Sequence, residues 1–84
     1  DCGEIIDGSI AYLEKGGGGP ASLHTHEHNH LFIVVSGQAR VELDGEVRIV
    51  DANESFLVNG HIPHSVWNNT DSTTVMIGIS VKAK

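Results

Sequence analysis

Polar and apolar residues alternate along most of the chain. Through "QARVELD", Ala39, Val41 and Leu43 alternate with Gln38, Arg40 and Glu42, the period of a strand with one buried face. Asp44-Gly45 follows, a strong two-residue hairpin signal, and Val47 and Ile49 then alternate with Glu46 and Arg48. Near the end, "TTVMIGISV" places Val75, Ile77, Ile79 and Val81 on one face. Shorter apolar runs, "LFIVV" and "SFLV", are bounded by Ser36-Gly37, "DANE" and "NG", and "SIAYL" is strand-like near the start. No stretch carries a 3.6-residue period. Short strands with turns every eight to twelve residues predict an all-β barrel or sandwich.

With 84 residues the chain makes one domain, close to the lower size for a core that folds unaided. A closed β architecture, a bound metal or a dimer interface would each add stability. The net charge of −6, with five scattered Lys and Arg, excludes the basic stripe that nucleic-acid binding requires, so no nucleic acid is expected as partner. No apolar run reaches the ~20 residues of a membrane helix, so no membrane is expected either. Cys2 is the single cysteine, which suits a reducing cytoplasm and rules out both an intramolecular disulfide and a cysteine zinc site. The chain starts at Asp1 without methionine, so an N-terminal address could have been trimmed. "GGGGP", from Gly16 to Pro20, is expected to be a flexible loop leading into the next segment.

That segment, "LHTHEHNH", holds His24, His26, His28 and His30, and the remaining histidines are His61 and His64. Residues i and i+2 of a strand share a face ~7 Å apart, and two imidazoles at that spacing can converge on one ion with bonds of ~2.0–2.1 Å. His24 and His26 form such a pair. On a straight strand His30 would lie ~13 Å from His26, beyond one ion. A turn at Glu27–Asn29 is therefore expected to bring His30 back on the neighbouring strand, ~5 Å across the ladder, leaving His28 at the tip in solvent. Glu27 is the rival carboxylate ligand. His64 opens a downstream strand and supplies the fourth imidazole; His61, beside Gly60, is expected at the rim. Asn68 is expected to be structural.

These residues resemble the cupin motifs. The first, G-x(5)-H-x-H-x(3,4)-E-x(6)-G, is matched by Gly18, His24, His26 and Gly37, with His30 where the family usually has Glu. The second is matched at its end by His64 and Asn68, with Pro63 before the histidine; "DANES" lacks the usual Gly-Asp turn. The resemblance spans Gly16 to about Val81, and it implies a minimal single-domain cupin comprising residues 1–84, with motif 1 at about 18–37 and motif 2 at about 55–68. The resemblance implies a small double-stranded β-helix, or jelly roll, with a metal held by His24, His26, His30 and His64.

Four neutral imidazoles leave a divalent ion its full charge; imidazole suits Zn, Cu, Fe and Ni, and because metal availability often overrides affinity the candidates are Mn, Fe, Zn, Ni and Cu. Phe32, Val34, Val41, Leu43, Phe56, Val66, Ile77 and Ile79 are expected to point inward and to line an apolar pocket for something small. Two functions follow: a metal-dependent, oxygenase-like enzyme acting on a small, partly apolar substrate, as the resemblance implies, or a non-catalytic module that binds or senses metal or a small ligand. No general base can be named. By analogy with cupins, a homodimer is expected, joined through sheet edges or exchanged terminal strands.

Overall fold

A computed structural model describes residues 4–24 and 28–82, with residues 20–24 described by their backbone. The described residues form eight strands and no helix: β1 (Ile5–Leu13), β2 (Gly18–His24), β3 (Asn29–Ser36), β4 (Gln38–Leu43), β5 (Glu46–Asp51), β6 (Ser55–Val58), β7 (His64–Asn68) and β8 (Thr74–Val81). They make two antiparallel four-stranded sheets, ordered β1-β8-β3-β6 and β2-β7-β4-β5. This is the small jelly-roll barrel expected. No helix among the described residues is long and apolar enough to cross a membrane.

The turn from β4 to β5 follows its sequence directly, but the alternation of β5 does not mark a buried face: Val47 and Ile49 pair with Glu42 and Arg40 on the outside and are 63% and 47% exposed. Asp44 and Gly45 both take positive φ, 40° and 89°, the handedness that matches the strand twist. Register then pairs Ala39 with Val50 and Val41 with Arg48. The core lies between the sheets, formed by Val34, Ala39, Val41, Val50, Phe56, Val58, Val66 and Met76. Asp51 and Glu54 close the turn after β5, with Glu54 N donating to the Asp51 carbonyl at 3.1 Å. Asn53 takes φ 71° there, filling the place of the glycine that "DANES" lacks, because asparagine tolerates the left-handed region.

β8 corrects the inward assignment of Ile77 and Ile79. Met76 is buried in the core, whereas Ile77 and Ile79 pair with Ile33 and Leu31 on the outside of their sheet. The outward side of β8, with Val75, Ile77, Ile79 and Val81, is the more apolar of the two, so alternation alone selected the wrong side. Phe32, Val66, Val34, Val41 and Phe56 do point inward, and Leu43 packs against the core. The glycine run also departs from a plain loop. A turn closes with Gly17 N donating to Glu14 O at 2.7 Å, and β2 already begins at Gly18.

Asn68 is a structural tie. Its Oδ1 accepts from Thr70 N, Thr70 Oγ1 and the buried Thr74 Oγ1 at 2.9, 2.8 and 2.7 Å, while Nδ2 donates to Leu13 O and Ser72 O. One side chain thereby links β7, β8 and the end of β1. At the opposite extreme of the chain, Lys82 N donates to Glu4 O at 2.8 Å.

Candidate metal centre

His64 begins β7 immediately after Pro63, at 2% exposure. Its Nδ1 lies 2.8 Å from Ile62 O. A carbonyl can only accept, so Nδ1 carries the proton, and in the neutral ring Nε2 then holds the lone pair that ligates metals. The residue preceding the strand therefore fixes both the tautomer and the ring orientation. Across the ladder, His64 pairs with Leu43 on β4 and with His24 on β2.

His30 approaches from the other sheet. β2 and β3 are not ladder neighbours: β3 lies between β8 and β6, where His30 pairs with Ser80 and Val58. The expected return across one ladder is thus corrected. The chain crosses between sheets after β2, and His30 faces His64 over the interior. Their ring centroids are 5.8 Å apart, inclined at 68°. An ion bound through Nε2 sits roughly 3.2 Å from a ring centroid, so two rings at this distance can share one ion.

His28 is a second correction. Rather than standing in solvent, it is half-buried and stacked on His30, with centroids 4.8 Å apart and ring planes at 18°. Its Nε2 lies 2.8 Å from Nε2 of His30. Two imidazole lone pairs cannot face each other at that distance, so either a proton or a cation stands between them. Two ligands at right angles on bonds of ~2.1 Å have nitrogens ~3.0 Å apart, so the observed spacing also fits adjacent positions on one ion. The reason for the miss is parity: residues 28 and 30 share a face, and His28 directly precedes β3, which starts at Asn29.

Of the remaining histidines, His24 is placed by its backbone register opposite His64, and its side chain lies outside the described residues. His26 and Glu27 also lie outside them. His61 is exposed in the loop before β7, its N–H donating to Asn59 Oδ1 at 3.0 Å. Among the described residues no three His, Cys, Asp or Glu side chains form a group that could hold a metal; His30 and His64 are the expected ligands that the structure brings together.

Behind the imidazoles opens a cavity of about 460 Å³. Its walls include Ser9 and Ala11 of β1, Phe32 of β3, Val66 of β7 and Met76 and Gly78 of β8. Sequence reasoning missed the contribution of β1 and Gly78; the small size of Ser9, Ala11 and Gly78, paired or near each other on adjacent strands, is the signal that marks the space. Phe32 stacks on Phe56 at 5.2 Å and carries an edge contact to His30 at the same distance. Gly18 stands at the cavity's edge with φ 136°. A Cβ there would strike Val66 O and sit 2.7 Å from Trp67 Cα, so the first glycine of the motif lets β2 close onto β7.

Comparison with known proteins agrees with this architecture. Residues 9–81 match the Cupin_2 family, described as a cupin domain. A curated relative, mannose-1-phosphate guanylyltransferase ManC of Salmonella typhimurium, is 32% identical over 68 residues, covering 81% of this chain and 14% of that protein. The chain therefore spans about a seventh of the length of that relative. A structure described as a "predicted oxalate decarboxylase" from Thermotoga maritima superposes with TM-score 0.84 at 14% identity, covering 94% of this chain and 68% of the other. KdgF from Halomonas sp. superposes with TM-score 0.74 at 24% identity, covering 96% and 78%. At these identities the structures establish a shared fold.

Proposed function

The chain belongs to the cupin-domain family, and from that premise we propose that it holds one divalent transition-metal ion and acts there on a small, partly apolar molecule. The observation that carries this reading is the meeting of His30 and His64, one from each sheet, at an apolar cavity of about 460 Å³. His30 and His64 would hold the ion, with His24 and His26 completing the set that the motif spacing implies. The ion would be Mn, Fe, Zn, Ni or Cu; imidazole suits the last four, and metal availability can override intrinsic affinity.

When bound, such an ion supplies Lewis acidity and open positions for substrate or dioxygen. The protein's own residues set what reaches it. Ile62 O holds His64 in one tautomer, so this ligand needs no reorientation. Phe32, Val66 and Met76 give the cavity an apolar wall, which favours a compact ligand with an apolar part. Elemental analysis of protein purified without added metal or chelator should find about one divalent transition ion per chain. Finding none, with no thermal shift on adding any of the five metals, would end the proposal.

A non-catalytic metal- or ligand-binding module is the second reading. It is favoured by the cavity wall itself, where the described residues offer imidazoles and the Ser9 hydroxyl but no carboxylate, lysine or tyrosine to serve as a general base. Oxygen-consumption assays of the metal-loaded protein with small carbonyl and hydroxylated substrates separate the two readings.

A further inference from the structure

Neither backbone nor packing requires a glycine at position 78. It lies in the middle of β8, with φ outside the left-handed region, so any residue can adopt its conformation. A Cβ added there would meet Phe32 at 3.4 and 3.6 Å, which is ordinary contact. At Gly37, by contrast, a Cβ would come within 2.9 Å of Thr74 Cα. Glycine also weakens a strand interior, because it loses more backbone freedom on folding and packs no side chain. What its bare backbone does is leave space. Register sets Ser9, Gly78 and Phe32 in one row across β1, β8 and β3, and all three line the cavity. Phe32 is held on its far side by Phe56, stacked at 5.2 Å, so its ring stands as a wall beside the gap.

We infer that Gly78 determines ligand specificity: its bare backbone, between Ser9 and Phe32, seats an apolar ligand body the size of a single ring. The inference rests on the reading above that a small molecule enters this cavity, and adds which residue limits that molecule and which classes are turned away. From β1 to β3 is two ladder spacings, ~10 Å. Less the Ser9 side chain and the Phe32 ring, that leaves the width of one ring and not of two. Val66 faces the seat from the other sheet. Polyols are turned away, because among the described wall residues only Ser9 and the imidazoles carry side chains that hydrogen-bond, and a sugar's other hydroxyls would be buried unpaired. A ligand with a second carboxylate is turned away too, since the described wall holds no Lys or Arg to meet it.

Met76 is the chain's single methionine and lines the cavity, so isotope labelling of its methyl group gives one NMR signal that reports on ligand. Phenol, the one-ring probe, should shift that signal saturably, with or without an equivalent of zinc. Inositol, a ring of similar size covered in hydroxyls, should not. Gly78→Ala should weaken phenol binding about tenfold, the effect of one misplaced carbon in an apolar pocket, and Gly78→Val further. Both variants should unfold in urea no earlier than the wild type, because each removes the entropic cost of glycine. Gly8→Ala, on the outer side of β1 opposite Ile79, should leave phenol affinity unchanged. A Met76 signal indifferent to phenol, equal shifts with inositol, or unchanged phenol affinity in both Gly78 variants overturns the inference. So does earlier unfolding of Gly78→Ala, which would make the glycine structural. Zinc binding is read separately by calorimetry: if zinc fails to bind while phenol binds and Gly78→Ala weakens it, the metal reading fails and the seat stands.

Discussion

Outside the β2-β7-β4-β5 sheet, Arg40 lies over the Trp67 ring at 5.8 Å and pairs with Glu42 at 3.1 Å, while Trp67 Nε1 donates to Ser65 Oγ at 2.9 Å. Outside the other sheet, the corresponding rows hold isoleucine, leucine, valine and tyrosine. Both sheets bury an apolar inner face. On the first, polar groups of β4 and β7 satisfy one another beside water, with Val47 and Ile49 of β5 exposed next to them; on the second, the outward positions of β1, β8 and β3 are mostly apolar. An alternating pattern identifies the buried side of a strand only when the other side belongs in water.

The sharpest way to break that contrast uses the two sides of β8. Met76→Ala should lower unfolding stability by about 2–5 kcal/mol through a cavity in the core. Ile77→Ala, measured in the same urea unfolding, should cost about 1 kcal/mol or less. Equal losses would mean that the sides have been assigned wrongly.

The proposed metal centre would join the sheets, with His30 from one and His64 from the other. His30→Ala and His64→Ala should each weaken binding of a divalent transition metal about 100-fold, ~2.7 kcal/mol. Isothermal titration with each variant decides it, and a loss confined to one of them would place the site on a single sheet.

A smaller effect is expected at His28, which touches His30 but belongs to neither ladder. His28→Ala should reduce metal affinity roughly tenfold, as for a residue that orients a ligand. The same titration reads it: no change would return His28 to a solvent role, and a loss equal to that of His30→Ala would make it a ligand in its own right. Smallest of all, Arg40→Ala should cost ~0.5 kcal/mol in urea unfolding, because its cation–π contact and ion pair are both partly solvated. A loss several times larger would show that the polar outer face holds its sheet together.

These contrasts also explain what was legible in the sequence. β4 and the Asp44-Gly45 turn could be read because Gln38, Arg40 and Glu42 are unmistakably polar against Ala39, Val41 and Leu43, whereas the apolar positions of β5, Val47 and Ile49, face outward. β8 could not, because its outer side, Val75, Ile77, Ile79 and Val81, is more apolar than its inner side, where Met76 and Gly78 line the cavity and Thr74 satisfies Asn68. His64 was recognisable from its spacing to Asn68 and from Pro63. That His30 belonged with it was also readable from motif spacing, but its route was not: a turn within one sheet and a crossing to the other use the same number of residues. His28 was misplaced for want of a strand boundary.

The bond between Lys82 and Glu4 has a consequence for how such a unit can be reused. Because the first and last described residues lie side by side, the ends can be bridged by a short linker and the chain reopened at the exposed Asp44-Gly45 turn. New termini there would interrupt no residue of the core, and the added loop-closure entropy would be small. The same closeness lets the whole barrel be grafted into a surface loop of another protein, whose chain would enter and leave at nearly one point. A circular permutant that refolds with its metal affinity intact would show the barrel to be a cassette, indifferent to where its polypeptide begins.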